Sequence, residues 1–176
     1  MLKDLRVGKE AEQELVDILS AFGGESKLNA VHANRYEYDV ECVFTHGDEQ
    51  KTMTFEVKND VMSKRTGNLA IEYWNSKQNK PSGLFRTTAN FWVHKFNDSL
   101  YVIPVETLKT LTNQQKPDRF ISGGGDDNAD LMLYQIERLE NEMREISSFG
   151  SCSELYEYLC SCTSAVCTTG NDTSTT

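Results

Sequence analysis

The sequence predicts a single α/β domain, on three observations. The first is a helical stripe in residues 8–22, which place apolar side chains such as Ala11, Leu15 and Leu19 along one side of a helix. Segments in which apolar and polar residues alternate follow it, as expected of half-buried strands. The length of 176 residues is enough for one hydrophobic core and too short to expect two.

The predicted elements follow one another in a definite order. Gly23-Gly24 ends the first helix, since glycine readily takes the left-handed conformation found at a helix C-terminus. A turn is expected at Pro81-Ser82-Gly83, and a short helix around residues 104–112. The strands are predicted at residues 35–44, 51–59, 68–74, 90–96 and 99–104.

The last third of the chain is predicted to be mainly helical. A main domain at residues 1–120 is followed by a Gly-rich connection at residues 121–127. Residues 128–162 are predicted as a C-terminal helical extension that begins with a helix over residues 128–147. The small, polar residues 163–176 are expected to form a disordered tail.

The helix predicted over residues 128–147 has two possible uses. Its apolar residues recur at spacings of four and three, so they form one stripe. The stripe would pack on the main domain or pair with the same stripe of a second copy, giving a homodimer. Its members are Met132, Ile136, Leu139, Met143 and Ile146.

Charge is distributed unevenly along the chain. The formal net charge is −9, yet residues 51–95 hold eight Lys or Arg against three Asp or Glu. Binding to a polyanion depends on the local patch rather than on the total, so a nucleic-acid partner stays open. No apolar run approaches a membrane span, and the first residues are charged, so we expect a cytoplasmic protein without a membrane partner. The five cysteines fit neither a disulfide framework nor a zinc-ribbon spacing.

A hairpin is predicted to bring two carboxylates together. If Gly47-Asp48 form a two-residue type II′ turn, Asp39 lies opposite Glu56 and Val40 lies opposite Phe55. One face of the hairpin is then apolar, and the other carries both carboxylates together with Lys58. Two ionised carboxylates at directly opposed strand positions repel each other, and a divalent cation would offset the repulsion.

The order of these residues resembles a known signature. Asp39, followed after a hairpin by Glu56-Val57-Lys58, is similar to the D…(D/E)-x-K pattern of the PD-(D/E)XK nuclease superfamily. The segment GNLAIEYWNSKQNKPSGLFRTTANFWVHKF also resembles phage and bacterial members, including Holliday-junction-resolvase-like ones. The resemblance covers roughly residues 8–105 and departs at Tyr38, where the family name has proline.

The resemblance implies a restriction-endonuclease-like core, in which helices flank a mixed central sheet. It implies metal-dependent hydrolysis of phosphodiester bonds in DNA, with Mg²⁺ or Mn²⁺ held by Asp39, Glu56 and the backbone carbonyl of Val57. Lys58 would orient or activate the attacking water and stabilise the charge on phosphorus.

Two further acids match positions of the family. Glu10 matches a glutamate on the first helix and would take a second metal or a metal-bound water, and Glu72 matches an acid after the E-x-K strand. Ordinary surface positions explain both equally well.

Several polar side chains are candidates for phosphate contact. Each of the cations would also serve simply as a solubilising charge, and Ser82 and Thr87 would also fit a plain turn. The candidates that we assign to nucleic-acid binding are Lys64, Arg65, Lys77, Lys80, Ser82 and Arg86.

Two other functions remain open. The first is a catalytically silent relative that keeps the fold and acts as a nucleic-acid-binding or assembly module. The second is a small acidic interaction protein that uses the helix over residues 128–147 to bind a partner.

Overall fold

The computed structural model describes residues 2–28, 38–124 and 128–164. The helices are α1 (Leu2–Ala21), α2 (Ser63–Thr66), α3 (Val105–Gln114) and α4 (Cys152–Ser164), with short 3-10 turns at Gly83–Phe85, Ile136–Arg138 and Ile146–Ser148. The strands are β1 (Glu25–Leu28), β2 (Val40–His46), β3 (Glu49–Asn59), β4 (Asn68–Asn75), β5 (Lys80–Pro81), β6 (Phe91–Phe96), β7 (Ser99–Pro104), β8 (Arg119–Gly124), β9 (Ala129–Gln135) and β10 (Arg144–Glu145).

The strands form two sheets. The six-stranded sheet has the order β1-β2-β3-β6-β7-β10, and the four-stranded sheet has the order β5-β4-β9-β8. β3 and β6 are parallel, whereas the other pairs of the six-stranded sheet are antiparallel. A parallel pair needs a crossover connection, and here the crossover carries β4 and β5 into the second sheet. The predicted α/β class with a mixed central sheet is confirmed.

Two apolar clusters cover the two faces of the six-stranded sheet. On one face Val40, Cys42 and Phe55 pack with residues of α1 and α4, such as Leu15 and Leu159. On the opposite face, residues of β6 and β7 pack with the four-stranded sheet and α3. β6 is therefore covered on both sides, which explains its almost unbroken apolar character.

The register of the β2–β3 hairpin is the predicted one. Val40 pairs with Phe55 and His46 pairs with Glu49, which leaves Gly47-Asp48 as the two turn residues. Gly47 has a φ of +62°, as the first central residue of a type II′ turn requires. A shift by one residue would have buried the charged face of the hairpin.

The prediction of a helix over residues 128–147 is wrong. Residues 129–135 form β9, which pairs with both β4 and β8, and residues 144–145 form β10. Burial alternates along β9, with Met132 and Tyr134 inside. Of the apolar residues that indicated a helix, only Met132 lies in β9. The other four are buried in the irregular segment between the 3-10 turns at Ile136–Arg138 and Ile146–Ser148 or in those turns, and pairing with β4 makes the first part a strand. A homodimer or a partner interface built on that helix loses its basis.

The remaining predicted elements agree with the structure in part. The first helix begins at Leu2 rather than at residue 8, and α3, β4, β6 and β7 lie within one or two residues of their predicted positions. Residues 121–124 of the expected Gly-rich connection belong to β8. The helical extension is confined to α4, and residues 165–176 of the predicted tail lie outside the described residues. None of the described helices is both long enough and apolar enough to cross a membrane.

Candidate active site

A cavity of about 420 Å³ lies beside the C-terminal half of β3, between the hairpin and the segment that connects β4 to β6. Its size is within the usual range of sites that bind small molecules or groups. Both acidic and basic side chains line it. The lining residues are Tyr38, Asp39, Glu56, Lys58, Glu72, Asn75, Gln78, Lys80, Ser82, Gly83, Arg86 and Thr87.

Asp39 is held against β3 by two hydrogen bonds. Its backbone N–H donates to the Phe55 carbonyl oxygen at 2.9 Å, so it continues the hairpin by one residue. Its Oδ2 accepts a hydrogen bond from the Val57 N–H at 2.7 Å. The carboxylate is thereby fixed next to the strand that carries Glu56 and Lys58, as the hairpin register predicts.

The two carboxylate oxygens of Glu56 have different partners. Lys58 Nζ donates to Oε1, and the Thr87 hydroxyl donates to Oε2 at 3.1 Å. Lys58 Nζ also lies 5.5 Å from the centroid of the Trp92 ring, within the range of a cation–π contact. Trp92 itself is fully buried, so it packs in the core and cannot stack on a base.

Burial and like charge act together on Asp39. Burial, followed by the charge of Glu56, raises the pKa of Asp39 to about 6, against the opposing effects of Lys58 and the Val57 N–H. Burial lowers the pKa of Lys58, but the carboxylates of Glu56 and Asp39 outweigh it and the pKa is raised overall. Lys58 is therefore a firmly protonated ammonium between two carboxylates that repel each other.

The α1 glutamate that faces the site is Glu12 and not Glu10. Burial raises the pKa of Glu12, which is also influenced by the charges of Lys58 and Glu56, whereas Glu10 is exposed; neither side chain lines the cavity. Residues two apart on a helix do not face the same side, so only one of the two can point to the site. The signal in the sequence is that Glu12, unlike Glu10, lies four residues before Val16, which packs against the core.

The structure separates the predicted phosphate contacts into two groups. Lys80, Ser82 and Arg86 line the same cavity as the carboxylates, together with Glu72 of β4. Lys64, Arg65 and Lys77 are exposed and lie outside its lining. Tyr38, Asn75 and Gln78 also line the cavity and were not predicted as site residues, because their hydroxyl and amide groups belong to no recognisable motif.

Three buried residues in or beside the site have side-chain polar atoms that lack a hydrogen-bond partner within the described part of the chain. They are Oγ of Ser82, Nε1 of Trp92 and both ring nitrogens of His94. His94 is paired with Lys58 in the β3–β6 ladder. Burial, followed by the charge of Lys58, lowers the pKa of His94 to about 3, so His94 is neutral at physiological pH.

The donor set suits a hard divalent cation completed by other ligands. Within residues 8–28, 38–124 and 128–164, no group of three or more His, Cys, Asp or Glu side chains forms a complete cage. Asp39 and Glu56 nevertheless supply two carboxylates beside the Val57 backbone, and Mg²⁺ is commonly bound by one or two carboxylates plus water and substrate phosphate. Burial, followed by repulsion from Glu56, raises the pKa of Asp39, and a bound cation would offset both effects.

Comparisons with known proteins give distant structural likenesses. No protein-family model matches the sequence, and no curated protein matches it. Among solved structures, the chain is similar to a bacterial homing endonuclease, with a TM-score of 0.41 and 20% identity over 59% of this chain and 67% of that one. It is also similar to a nuclease from a fusselovirus, with a TM-score of 0.41 and 14% identity over 94% of this chain and 95% of that one. At these scores neither likeness establishes a shared family.

Proposed function

We propose that this protein is a metal-dependent nuclease of the PD-(D/E)XK type that hydrolyses phosphodiester bonds in DNA. The observation that carries the proposal is that Asp39, Glu56 and Lys58 line one cavity, where Lys58 donates to Glu56 and the charges of Glu56 and Lys58 act on Asp39. Structural ion pairs are usually not arranged with two half-buried carboxylates against each other, because the repulsion costs stability. Functional sites often contain such perturbed groups.

Asp39, Glu56 and the Val57 carbonyl are the groups that would hold the cation. Bound Mg²⁺ or Mn²⁺ supplies Lewis-acid chemistry at the scissile phosphate. Lys58 keeps its proton, because its pKa is raised, so it donates hydrogen bonds and stabilises negative charge on phosphate oxygens. It does not act as a general base in this state. Glu12 replaces Glu10 as the α1 carboxylate next to these groups.

The cationic part of the cavity lining suits the phosphate backbone. Lys80 and Arg86 bring two positive charges to the cavity that the carboxylates line. Arg and Lys contacts to phosphate oxygens position a nucleic acid without reading its sequence. The excess of positive charge in residues 51–95 supports a polyanionic substrate in spite of the acidic total.

The test is a cleavage assay on a panel of single-stranded, duplex, flap and junction DNA, with Mg²⁺, Mn²⁺ or EDTA. Wild type is expected to cleave with either metal and not with EDTA. Glu56→Gln and Lys58→Ala are expected to lose at least about a thousandfold in rate, an order typical of removing a group that stabilises transition-state charge. Glu49→Gln is the matched control, because Glu49 is exposed on the same strand.

A second comparison tests the assignment on α1. Glu12→Gln is expected to slow cleavage, whereas Glu10→Gln is expected to leave it near the wild-type rate. Salt-dependent DNA binding with no cleavage under any metal would replace the proposal with a catalytically silent nucleic-acid-binding protein. Cleavage that survives Glu56→Gln would refute the site itself.

A further inference from the structure

Thr87, in the connection between β5 and β6, contacts the candidate metal site. Thr87 is buried, with 7% of its surface exposed, and its Oγ1 donates to Glu56 Oε2 at 3.1 Å. The two residues are 31 positions apart in the sequence, so the contact exists only because this connection folds over β3.

The direction of this hydrogen bond follows from the chemistry of the two groups, and a neighbouring hydrogen bond is compatible with it. The Ala89 backbone N–H donates to Thr87 Oγ1 at 3.2 Å. A threonine hydroxyl has one proton to donate and two lone pairs that accept. Since one lone pair is used by Ala89, the proton of Thr87 is available to the Glu56 carboxylate, which can only accept when it is ionised.

The backbone of Thr87 is held in place through Gly83, which packs against β4. Its N–H donates to the Gly83 carbonyl oxygen at 3.0 Å. Gly83 has a φ of +48° and lies directly against Glu72: a Cβ on Gly83 would be 2.7 Å from Glu72 Cβ and closer still to the Glu72 carbonyl oxygen. The close approach of this glycine to β4 therefore determines where the Thr87 hydroxyl lies.

Thr87 and Lys58 together orient the Glu56 carboxylate. Lys58 donates to Oε1 and Thr87 donates to Oε2, so each oxygen is oriented by one donor. The terminal torsion of a glutamate is soft and roughly two-fold. Without the Thr87 hydroxyl, the carboxylate would be free to turn further toward the Lys58 ammonium, which competes with a bound cation for the same oxygens.

We propose that Thr87 is a positioning residue whose hydroxyl sets the orientation of Glu56 and thereby the affinity of the site for a divalent cation. This rests on the proposed function, because it concerns the same carboxylate. It differs from the sequence interpretation of Thr87 as a phosphate contact, since the hydroxyl proton is already directed at Glu56. Partners of this kind typically change metal affinity by about 10–100-fold when they are removed.

The experiment measures Mn²⁺ binding to the full chain without DNA, by electron paramagnetic resonance of free Mn²⁺ and by calorimetry. Thr87→Val removes the hydroxyl at nearly constant volume and is expected to weaken Mn²⁺ binding about 10–100-fold. Thr87→Ser keeps the hydroxyl and is expected to bind like wild type. Thr110→Val, on an exposed part of α3, is the matched control and is expected to have no effect.

The kinetic prediction separates positioning from substrate contact. Raising Mn²⁺ is expected to restore the kcat of Thr87→Val, with KM for DNA unchanged. Thr87→Ala, followed by circular dichroism, gives the same comparison if the valine variant does not fold.

Three results would overturn the inference. If Thr87→Val and Thr87→Ala bind Mn²⁺ as tightly as wild type, Thr87 does not position Glu56, although the proposed function stands. If the KM for DNA rises while Mn²⁺ affinity is unchanged, Thr87 contacts the substrate instead. If wild type binds no Mn²⁺ and cleaves no DNA, the proposed function and this inference fail together.

Discussion

Replacing Asp39 by Asn is expected to stabilise the folded protein at neutral pH while removing a proposed metal ligand. The carboxyl of Asp39 is half-buried, and burial followed by the charge of Glu56 raises its pKa from 3.8 to about 6. Asparagine has nearly the same shape, and its amide oxygen can still accept the hydrogen bond from the Val57 N–H. The substitution therefore removes the charge and keeps the hydrogen bond.

The sign and size of the effect follow from this pKa. The folded-state pKa lies above the unfolded one, so between pH 3.8 and about 6 the folded protein binds more protons than the unfolded chain. The free energy of unfolding contributed by Asp39 therefore falls as pH rises through this window. The loss is small at pH 4 and about 3 kcal/mol at pH 7, which corresponds to roughly 5–10 °C in Tm.

His94 acts in the opposite direction over the same pH range. Its pKa is lowered to about 3 by burial and then by Lys58, so the unfolded chain binds more protons there and this contribution to stability rises with pH. The wild-type profile alone therefore does not isolate Asp39. The difference between Asp39→Asn and wild type at each pH does, because both proteins contain His94.

The assay is urea unfolding of both proteins at pH 4, 5, 6 and 7 in EDTA. The stability advantage of Asp39→Asn should grow from near zero at pH 4 to its full value at pH 7. Asp98→Asn, at an exposed turn, controls for the loss of one negative charge. A variant that is less stable than wild type at pH 7, or an advantage that does not change with pH, would refute the reasoning.

Two substitutions in the connection between β4 and β6 test its separate parts. Gly83→Ala is expected to cost several kcal/mol in urea unfolding, because the new Cβ meets the Glu72 backbone and the residue needs a φ of +48°; unchanged stability would contradict the observed packing. Lys80→Ala is expected to weaken DNA binding and flatten its salt dependence more than Lys77→Ala, since only Lys80 lines the cavity. Fluorescence anisotropy over a salt series, in a Glu56→Gln background, would measure the DNA affinity and its salt dependence for both lysine variants. Equal losses of affinity in the two variants would exclude a special role for the cavity.

Features that depend on neighbouring residues could be predicted from the sequence. The β2–β3 hairpin has a two-residue turn, and the side-chain period of two then assigns every residue to a face. The apposition of Asp39 with Glu56 and Lys58 follows from that local geometry, and the structure agrees. The first helix was predictable for the same reason, since one apolar stripe is enough to define it.

Features that depend on distant partners could not be predicted. An apolar pattern over residues 128–147 satisfies a helix by itself, but β4, more than fifty residues earlier, offers hydrogen-bond partners that turn its first part into a strand. The rotation of α1 relative to the site, which selects Glu12 over Glu10, depends on how the helix packs on the six-stranded sheet. Backbone pairing and packing across such separations have no signature in a short window of sequence.

The sequence by itself determined which residue types could do chemistry and placed three of them on one face of a hairpin, because turn chemistry and strand periodicity act over a few residues. Only the tertiary structure decided what surrounds them. It brought Glu72 and Thr87 to the same cavity, placed Glu12 within the electrostatic influence of Lys58 and Glu56, left Lys64 and Lys77 outside the cavity, and buried Asp39 enough to raise its pKa. Burial and electrostatic environment depend on every element packed around a group, so they exist only once the two sheets and α1 have come together.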